Sequence, residues 1–265
     1  MSNRNWTIFA MFLGMFSATV AMAQGKPARL TFDVASIRLH DPKMPSRDVR
    51  GIRPIPGGHG YTAVNITVKL MMSVIYKLPE RQIKGGPDWI DRDCYDVEAR
   101  VDGTYSLDDL HTMYQSLLED RFGLKFHKEE KDGPKFVLTV EPTGVKMKAN
   151  DTAQNQGTPM TPNGTGDITA TRTSMPYFAW FLGQLLLQEG RPVVDHTGLT
   201  GFFDFRLRYQ PPLPPGVSVE SFPPEVQERP RLIEAMRDQL GLRLKPQNGP
   251  VEYFMIDNLN RPSPD

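Results

Sequence analysis

Leu118-Glu-Asp-Arg-Phe-Gly-Leu-Lys-Phe126 lies near the middle of the chain, and Met236-Arg-Asp-Gln-Leu-Gly-Leu-Arg-Leu244 repeats its plan near the end. Each stretch is typical of a helix that stops at Gly-Leu and leads into a charged strand. Lys131–Val140 and Gln247–Ile256 then each supply a turn and an apolar strand. Because internal repeats determine architecture, this pattern indicates a chain built by duplication.

The turn residues suggest how each half ends. Asp132-Gly133 and Asn248-Gly249 are favoured two-residue turns, so a β-hairpin is predicted at each. Each half then reads strand, helix, strand, helix, hairpin. The predicted fold is α+β, with two duplicated units that each place two helices on one face of a small mixed or antiparallel sheet.

The composition along the chain predicts where these units begin and end. The first α+β repeat is predicted at residues 24–145 and the second at 167–265. Residues 146–166, which are rich in Pro, Thr, Asn and Gly, form the predicted linker. Proline is dense at residues 211–230, which predicts an exposed loop inside the second repeat.

The first 23 residues have the pattern of a secretory signal peptide. Arg4 is the only charge, Trp6–Val20 is an apolar run, and Ala21-Met22-Ala23 predicts cleavage after Ala23. The alternative is a membrane anchor, but the run falls short of the ~20 apolar residues that span a bilayer. We therefore expect an exported protein, periplasmic or extracellular, with no transmembrane segment after cleavage.

The charge and cysteine counts exclude some classes of function. The chain has 31 basic and 31 acidic side chains, which argues against a nucleic-acid-binding surface. Cys94 is the only cysteine, so no internal disulfide is expected. Its acidic neighbour Asp93 favours a half-buried structural thiol over a nucleophile.

Several stretches occur in a fixed order along the chain, namely Phe32–Arg38, Gln82–Ile90, Tyr95–Ala99, Leu117–His127, Pro192–Phe205 and Val251–Pro262. Together they resemble an uncharacterised, exported family of unknown function that is expanded in soil acidobacteria, a Solibacter-type family. The resemblance implies export and, in some relatives, attachment to antibiotic-sensing membrane metallopeptidases. It carries no catalytic residues, and the peptidase motif His-Glu-x-x-His is missing from this sequence.

A second resemblance concerns each half by itself. Asn65–Leu70, Tyr95–Val101 and Ser106–Leu110 with Leu117–Phe126 look like the short N-terminal module of secretins and TonB-dependent receptors. Those modules have a β-α-β, β-α-β plan and dock on partner proteins. The resemblance implies an envelope or periplasmic protein as the partner.

Few residues stand out as candidates for chemistry. Asp195-His196 is the sharpest local pair, because an aspartate can orient an imidazole, but adjacent strand residues point apart and Asp195 also suits a turn at Thr197-Gly198. Trp89 offers a stacking surface for a ligand or partner, or else packs against the strand at Tyr95. His111, on the helix that starts after Ser106, is predicted to face solvent.

The motif search leaves three functional hypotheses. No nucleophile motif, zinc-ligand spacing or cofactor motif is readable, so no catalytic residue, metal or cofactor is predicted. The favoured hypothesis is a non-catalytic extracytoplasmic module that binds a protein or envelope component. The alternatives are a small-ligand sensor partnered with a membrane peptidase or receptor, and a hydrolase with an unrecognised site between the halves.

Overall fold

A computed structural model describes residues 29–43, 50–152, 158–213 and 216–262. The predicted signal peptide and its cleavage site at Ala23 lie outside the described residues, so both remain predictions. Along the described part of the chain, no helix has the length and apolar character needed to cross a bilayer.

The described residues form twelve strands and five α-helices. The strands are β1 (Val34–Leu39), β2 (Gly51–Pro54), β3 (Gly60–Thr67), β4 (Ile83–Gly85), β5 (Cys94–Arg100), β6 (Lys125–Val140), β7 (Lys148–Ala149), β8 (Met160–Pro162), β9 (Asp167–Thr173), β10 (Val193–Asp195), β11 (Phe203–Arg208) and β12 (Leu242–Asn258). The helices are α1 (Val68–Ile75), α2 (Leu107–Phe122), α3 (Met175–Leu185), α4 (Pro224–Gln227) and α5 (Leu232–Ala235). The predicted α+β class is confirmed.

Three four-stranded sheets organise the chain. The first outer sheet has the order β1-β5-β3-β2, and the second outer sheet has the order β7-β11-β9-β8. Between them lies a central sheet with the order β10-β6-β12-β4. The strands of both outer sheets are antiparallel, whereas β4 and β10 join the central sheet as short parallel edges. Both parts of the chain therefore share one sheet.

The two predicted hairpins are wrong. Lys125–Val140 is one continuous strand, and it pairs antiparallel with the equally continuous Leu242–Asn258. The residues of the predicted turns lie opposite each other in the middle of the strands, with Gly133 paired with Gly249. Each half thus pairs its long strand with that of the other half.

Proline explains why the chain does not turn at these positions. A two-residue hairpin is closed by the N–H of the residue that follows the turn. That residue is Pro134 in β6 and Pro250 in β12, and proline has no N–H to donate. The Gly-Pro pair was therefore a readable signal against the hairpin.

The exchange of strands is visible in the two hydrophobic cores. The first core lies between the first outer sheet, α1 and α2, and it includes Phe254 and Leu259 from the end of the chain. The second core lies around α3, and it includes Phe136 and Leu138 from β6. The predicted repeat ranges remain a prediction, and each core draws residues from the other range.

Each outer sheet contains a residue with a left-handed backbone that is held by an aspartate on the next strand. In the first, Asn65 has φ +55° and its N–H donates to Asp96 Oδ1 at 2.8 Å. In the second, Arg172 has φ +50° and its N–H donates to Asp204 Oδ1 at 2.7 Å. The carboxylates satisfy amides that the irregular pairing removes from the ladder.

Local helix signals are largely confirmed. Ser106 and Asp109 form a capping box at the start of α2, and Gly123 ends the helix with φ +62°. Thr67 caps α1 by accepting the Leu70 N–H at 3.2 Å. The helix predicted to stop at Gly241 is only partly α-helical, because α5 is followed by a π-turn over Met236–Leu240.

Several predicted loops contain short regular elements. β2 lies inside the stretch 41–60, where Pro and Gly are dense and a loop is expected. β7 and β8 lie inside the predicted linker 146–166, and α4 lies inside the proline-rich stretch 211–230. These strands pair as sheet edges, where short segments with few apolar residues are sufficient.

Candidate functional site

A cleft with residues from both halves of the chain lies over the middle of the central strands. It has a volume of about 390 Å³. One wall is the chain from Lys77 to Gln82 after α1, and the other is formed by α3 and β10. Between the walls, β6 contributes Lys135 and β12 contributes Pro250. The cleft therefore depends on the pairing of the two long strands β6 and β12.

Arg81 ties the two walls together behind the cleft. Its Nη1 donates to the carbonyl of Leu187 at 3.1 Å and its Nη2 to that of Arg191 at 2.6 Å. Gln82 Nε2 adds a bond to the carbonyl of Glu252 at 2.5 Å. Burial lowers the pKa of Arg81 from its ordinary value. These contacts fix the first wall to both the second wall and the central sheet.

Lys135 is a buried cation at the base of the cleft. Only 4% of the residue is exposed, and its Nζ donates to the carbonyl of Pro250 at 2.8 Å. Within the described residues, no carboxylate lies within ion-pair distance of this ammonium. Gly249 leaves room for it, because a Cβ there would lie 3.4 Å from Lys135 Cε and Nζ. Buried charges are normally paired, so Lys135 is an exception that needs an explanation.

Trp180 supplies a second donor without an acceptor. It lies on α3 in the cleft wall, beside Tyr177 at a ring-centroid distance of 5.4 Å. Its indole Nε1 atom is buried and has no hydrogen-bond partner among the described residues. A buried N–H that is left unpaired costs about 1–3 kcal/mol. Lys135 and Trp180 both line the cleft, so two of its side chains carry buried donors whose hydrogen-bonding capacity is not fully used.

Most of the carboxylates in the cleft already have partners. Asp195 Oδ1 accepts from the N–H of Thr197 at 2.9 Å and from its Oγ1 at 2.7 Å. Glu252 lies 3.1 Å from Lys128 Nζ. Glu130 is exposed at the edge of the cleft. The acidic side chains are therefore committed elsewhere or hydrated, and none neutralises Lys135.

The sequence-predicted pair Asp195 and His196 lies in the cleft but does not form a dyad. Asp195 organises the turn at Thr197, which was one of its two predicted roles. His196 is exposed, and its backbone N–H donates to the carbonyl of Leu138 at 2.9 Å. The aspartate therefore does not orient the imidazole.

Trp89 lies outside this cleft, in the first core. It is 8% exposed and packs edge-to-face with Tyr95 at 6.3 Å between ring centroids. The guanidinium of Arg261 lies 5.3 Å above its ring. This is the packing alternative, against the strand at Tyr95, that the sequence left open.

The prediction that His111 faces solvent was wrong. It is 3% exposed, and its Nε2 lies 3.0 Å from the hydroxyl oxygen of Tyr61. Burial, with a contribution from Lys77, lowers the pKa of His111 to about 4. The imidazole is therefore neutral at physiological pH and belongs to the first core.

A smaller pocket of about 140 Å³ adjoins the cleft, and Lys77 lines both. There Lys77 Nζ pairs with Asp108 Oδ1 at 2.9 Å, and Arg172 stacks 3.8 Å from the centre of the Phe202 ring. Lys77 therefore has a counter-ion and Arg172 an aromatic partner, whereas Lys135 has only the carbonyl of Pro250. Within the described residues, no three His, Cys, Asp or Glu side chains come together as a metal site.

Sequence reasoning missed Lys135 and Trp180. Lys135 directly precedes the apolar run Phe136-Val-Leu138 of β6, which is a signal that the strand is entering a core. Trp180 lies on a helix that is apolar on most of its surface, so nothing local separates its role from core packing. Both side chains line one cleft because β6 pairs with β12, a pairing that the hairpin prediction excluded.

Comparison with known proteins identifies the family. Residues 69–259 match the family described as "Protein of unknown function (DUF3738)". The chain belongs to this family. The match includes both walls of the cleft and the whole of both long central strands, and the family's description assigns no activity. No curated protein and no solved structure matches the chain.

Proposed function

We propose that the chain is exported, cleaved after Ala23, and acts outside the cytoplasm as a non-catalytic module that binds a protein or envelope component. The signal-like N-terminus and the resemblance to exported acidobacterial proteins support the export. The resemblance to the docking modules of secretins and TonB-dependent receptors supports a periplasmic protein partner. The matching strand orders of the two outer sheets support duplication as the origin of the scaffold.

One observation carries the binding proposal. The cleft between the halves contains a buried cation without a counter-ion and a buried indole N–H without an acceptor. Leaving such groups unsatisfied lowers the free energy of unfolding, whereas a bound molecule recovers that loss. We therefore assign the binding site to this cleft.

The sensor alternative uses the same cleft. Its walls are mainly apolar, with Leu78, Pro79 and Val194 among the lining side chains. A concave apolar site with a few polar groups is typical of small-molecule binding. A ligand that binds both walls would change how they lie against each other, which is a route to signalling.

The binding proposal is tested by capture from a native envelope extract. The bait is the chain from Gln24 to Asp265, and the matched control carries Val194→Trp, which fills the cleft from β10. We expect one reproducible crosslinked partner for the unmodified bait and loss of that partner with the filled cleft. Equal capture by both baits would contradict the assignment to the cleft.

Export has a separate test. N-terminal sequencing of the protein recovered from the periplasm or medium should begin at Gln24. Recovery of only the uncleaved chain in the membrane fraction would instead support the anchor alternative.

A further inference from the structure

The cleft has a chemical preference that follows from its unpaired donors. Lys135 presents an ammonium with three N–H donors, of which one is directed to the carbonyl of Pro250. Trp180 presents an indole N–H without an acceptor. Both groups donate, and neither accepts. A ligand that matches these donors therefore has hydrogen-bond acceptors, and beside a buried cation the most stabilising acceptor is an anion.

The remaining charges narrow the class of anion. Glu130, Glu252 and Asp195 also line the cleft, and Lys77 is the other cation. Lys77 is already paired with Asp108. A dianion such as phosphate or sulfate would meet one free cation and three acidic neighbours. A singly charged carboxylate matches Lys135 with the least repulsion.

The residues that line the walls indicate the chemical character of the rest of the ligand. Leu78, Pro79, Pro176, Pro192 and Val194 line the cleft around the two donors. A volume of about 390 Å³ lies at the lower end of the range for small-molecule sites. The body next to the carboxylate is therefore apolar and compact.

We propose that the cleft binds a monocarboxylate with an apolar body, with the carboxylate held by Lys135 and the Trp180 indole N–H. This inference rests on the proposed binding function and names its ligand class. Two sources share this chemistry, namely a free small acid and the C-terminal end of a peptide. In either case no bond is made or broken, and binding offsets the cost of burying Lys135.

Nuclear magnetic resonance of the ¹⁵N-labelled chain from Gln24 to Asp265 tests the inference at the atoms concerned. That chain has two tryptophans, Trp89 and Trp180, so the indole region contains two signals. Trp180→Phe assigns them, and Trp89, in the first core, is the internal control. The probes are 3-phenylpropionate with 3-phenylpropionamide, and N-acetyl-Leu-Leu with its C-terminal amide.

We expect at least one acid to shift the Trp180 signal and leave that of Trp89 in place, while its matched amide and inorganic phosphate do not. The acid that works identifies the source. Loss of the charge in Lys135→Met should weaken binding of that acid about tenfold or more, since hydrogen bonds to charged groups are the strong ones. Lys131→Met, in the same strand but exposed and paired with Glu129, should leave binding unchanged.

Three results would overturn the inference: equal binding of acid and amide, unchanged binding in Lys135→Met, or no probe that moves the Trp180 signal. Lys135→Gln keeps a polar side chain and checks that a loss of binding is not a loss of folding, which urea unfolding of both variants also measures. If envelope capture succeeds while all probes fail, the binding function stands and the carboxylate assignment falls.

Discussion

In both outer sheets, an aspartate carboxylate accepts the backbone N–H of a left-handed residue, but the side chains that support the aspartate differ. In the first, Asp96 holds the left-handed residue Asn65 and also lies 2.9 Å from His40 Nδ1. In the second, Asp204 holds Arg172 and accepts from Asn150 Nδ2 at 2.8 Å. The carboxylate to backbone bond is common to both, so it is the structural requirement. The supporting side chain differs, and therefore it is the part that is free to vary.

The cores differ in a second way that bears on function. The first core contains the long helix α2 and a buried aromatic cluster in which Tyr61, Tyr114 and His111 meet. The second core contributes α3 and β10, which form a wall of the cleft. The second half therefore contributes the wall of the cleft that carries Trp180. The crossed strands β6 and β12 connect the two.

The largest predicted effect comes from breaking the shared strands. Phe254, near the chain end, stacks on Phe126 at 4.3 Å in the first core. Phe254→Ala should lower the free energy of unfolding by about 3–5 kcal/mol, as large-to-small core substitutions do. Urea unfolding followed by circular dichroism measures this.

The matched variant Leu244→Ala removes a side chain of the same strand from the second core. Because both cores share β6 and β12, both variants should shift a single common transition. Two separate transitions, with each variant moving only one, would show that the cores are independent. Lys245→Ala, at an exposed position of the same strand, is the control.

A second prediction compares the two aspartates. Asp96→Ala and Asp204→Ala each leave a backbone N–H without its acceptor, so each should cost about 1–3 kcal/mol in the free energy of unfolding. Similar losses in the two variants would support the same structural role for both aspartates. A loss in one half with no change in the other would show that the resemblance between the sheets is geometric only.

A third prediction separates the halves by pH. Burial lowers the pKa of His111, in the first half, to about 4. The unfolded chain binds this proton below its ordinary pKa near 6.5, so stability should fall as the pH drops from about 6.5 towards 4. His111→Gln should reduce the pH dependence of the free energy of unfolding across this range. A slope unchanged in the variant would contradict the neutral buried imidazole.

In the second half, the hydrogen bond from Arg206 is the main cause that lowers the pKa of Asp167 to about 2. Its contribution is complete above the ordinary aspartate pKa near 3.9 and is lost as the pH falls towards 2. Asp167→Asn should therefore reduce the slope of stability between about pH 4 and 2 and leave the range above 5 unchanged. The wild-type slope persisting in this variant would refute the assignment.

The smallest effect is expected at His196. Its side chain is exposed and receives no bond from Asp195, so His196→Ala should change the free energy of unfolding by no more than about 0.5 kcal/mol. Asp195→Ala should cost more, because the turn at Thr197 loses its acceptor. A larger loss for His196→Ala than for Asp195→Ala would indicate that the two residues act together as a functional pair.

Local structure was predictable where the signal is local. Ser106 with Asp109 and Gly123 define α2 by hydrogen bonds and backbone angles that neighbouring residues determine. The central sheet was not predictable in this way, because Asp-Gly and Asn-Gly favour a turn unless the following proline is weighed. Whether the chain turns or continues at Asp132-Gly133 decides whether Lys135 lies in solvent or under the cleft.

The candidate site was harder to predict for the same reason. Asp195 and His196 were found because they are adjacent in sequence, and the structure places both in the cleft without joining them. Lys135 and Trp180 are far apart in the chain, and only the tertiary structure places both in the lining of one cleft. A buried lysine in a strand has no sequence signature of its own beyond the apolar run that follows it.

The central claim is that this cleft is where the protein binds its partner or ligand. The most direct test places a photoreactive amino acid at position 194, in the cleft wall, and separately at position 233, where Ile233 is exposed on α5 away from the cleft-lining residues. Irradiation of intact cells that produce the protein should give an adduct from position 194 and none from position 233. An adduct from position 233 alone, or none from either, would contradict the claim.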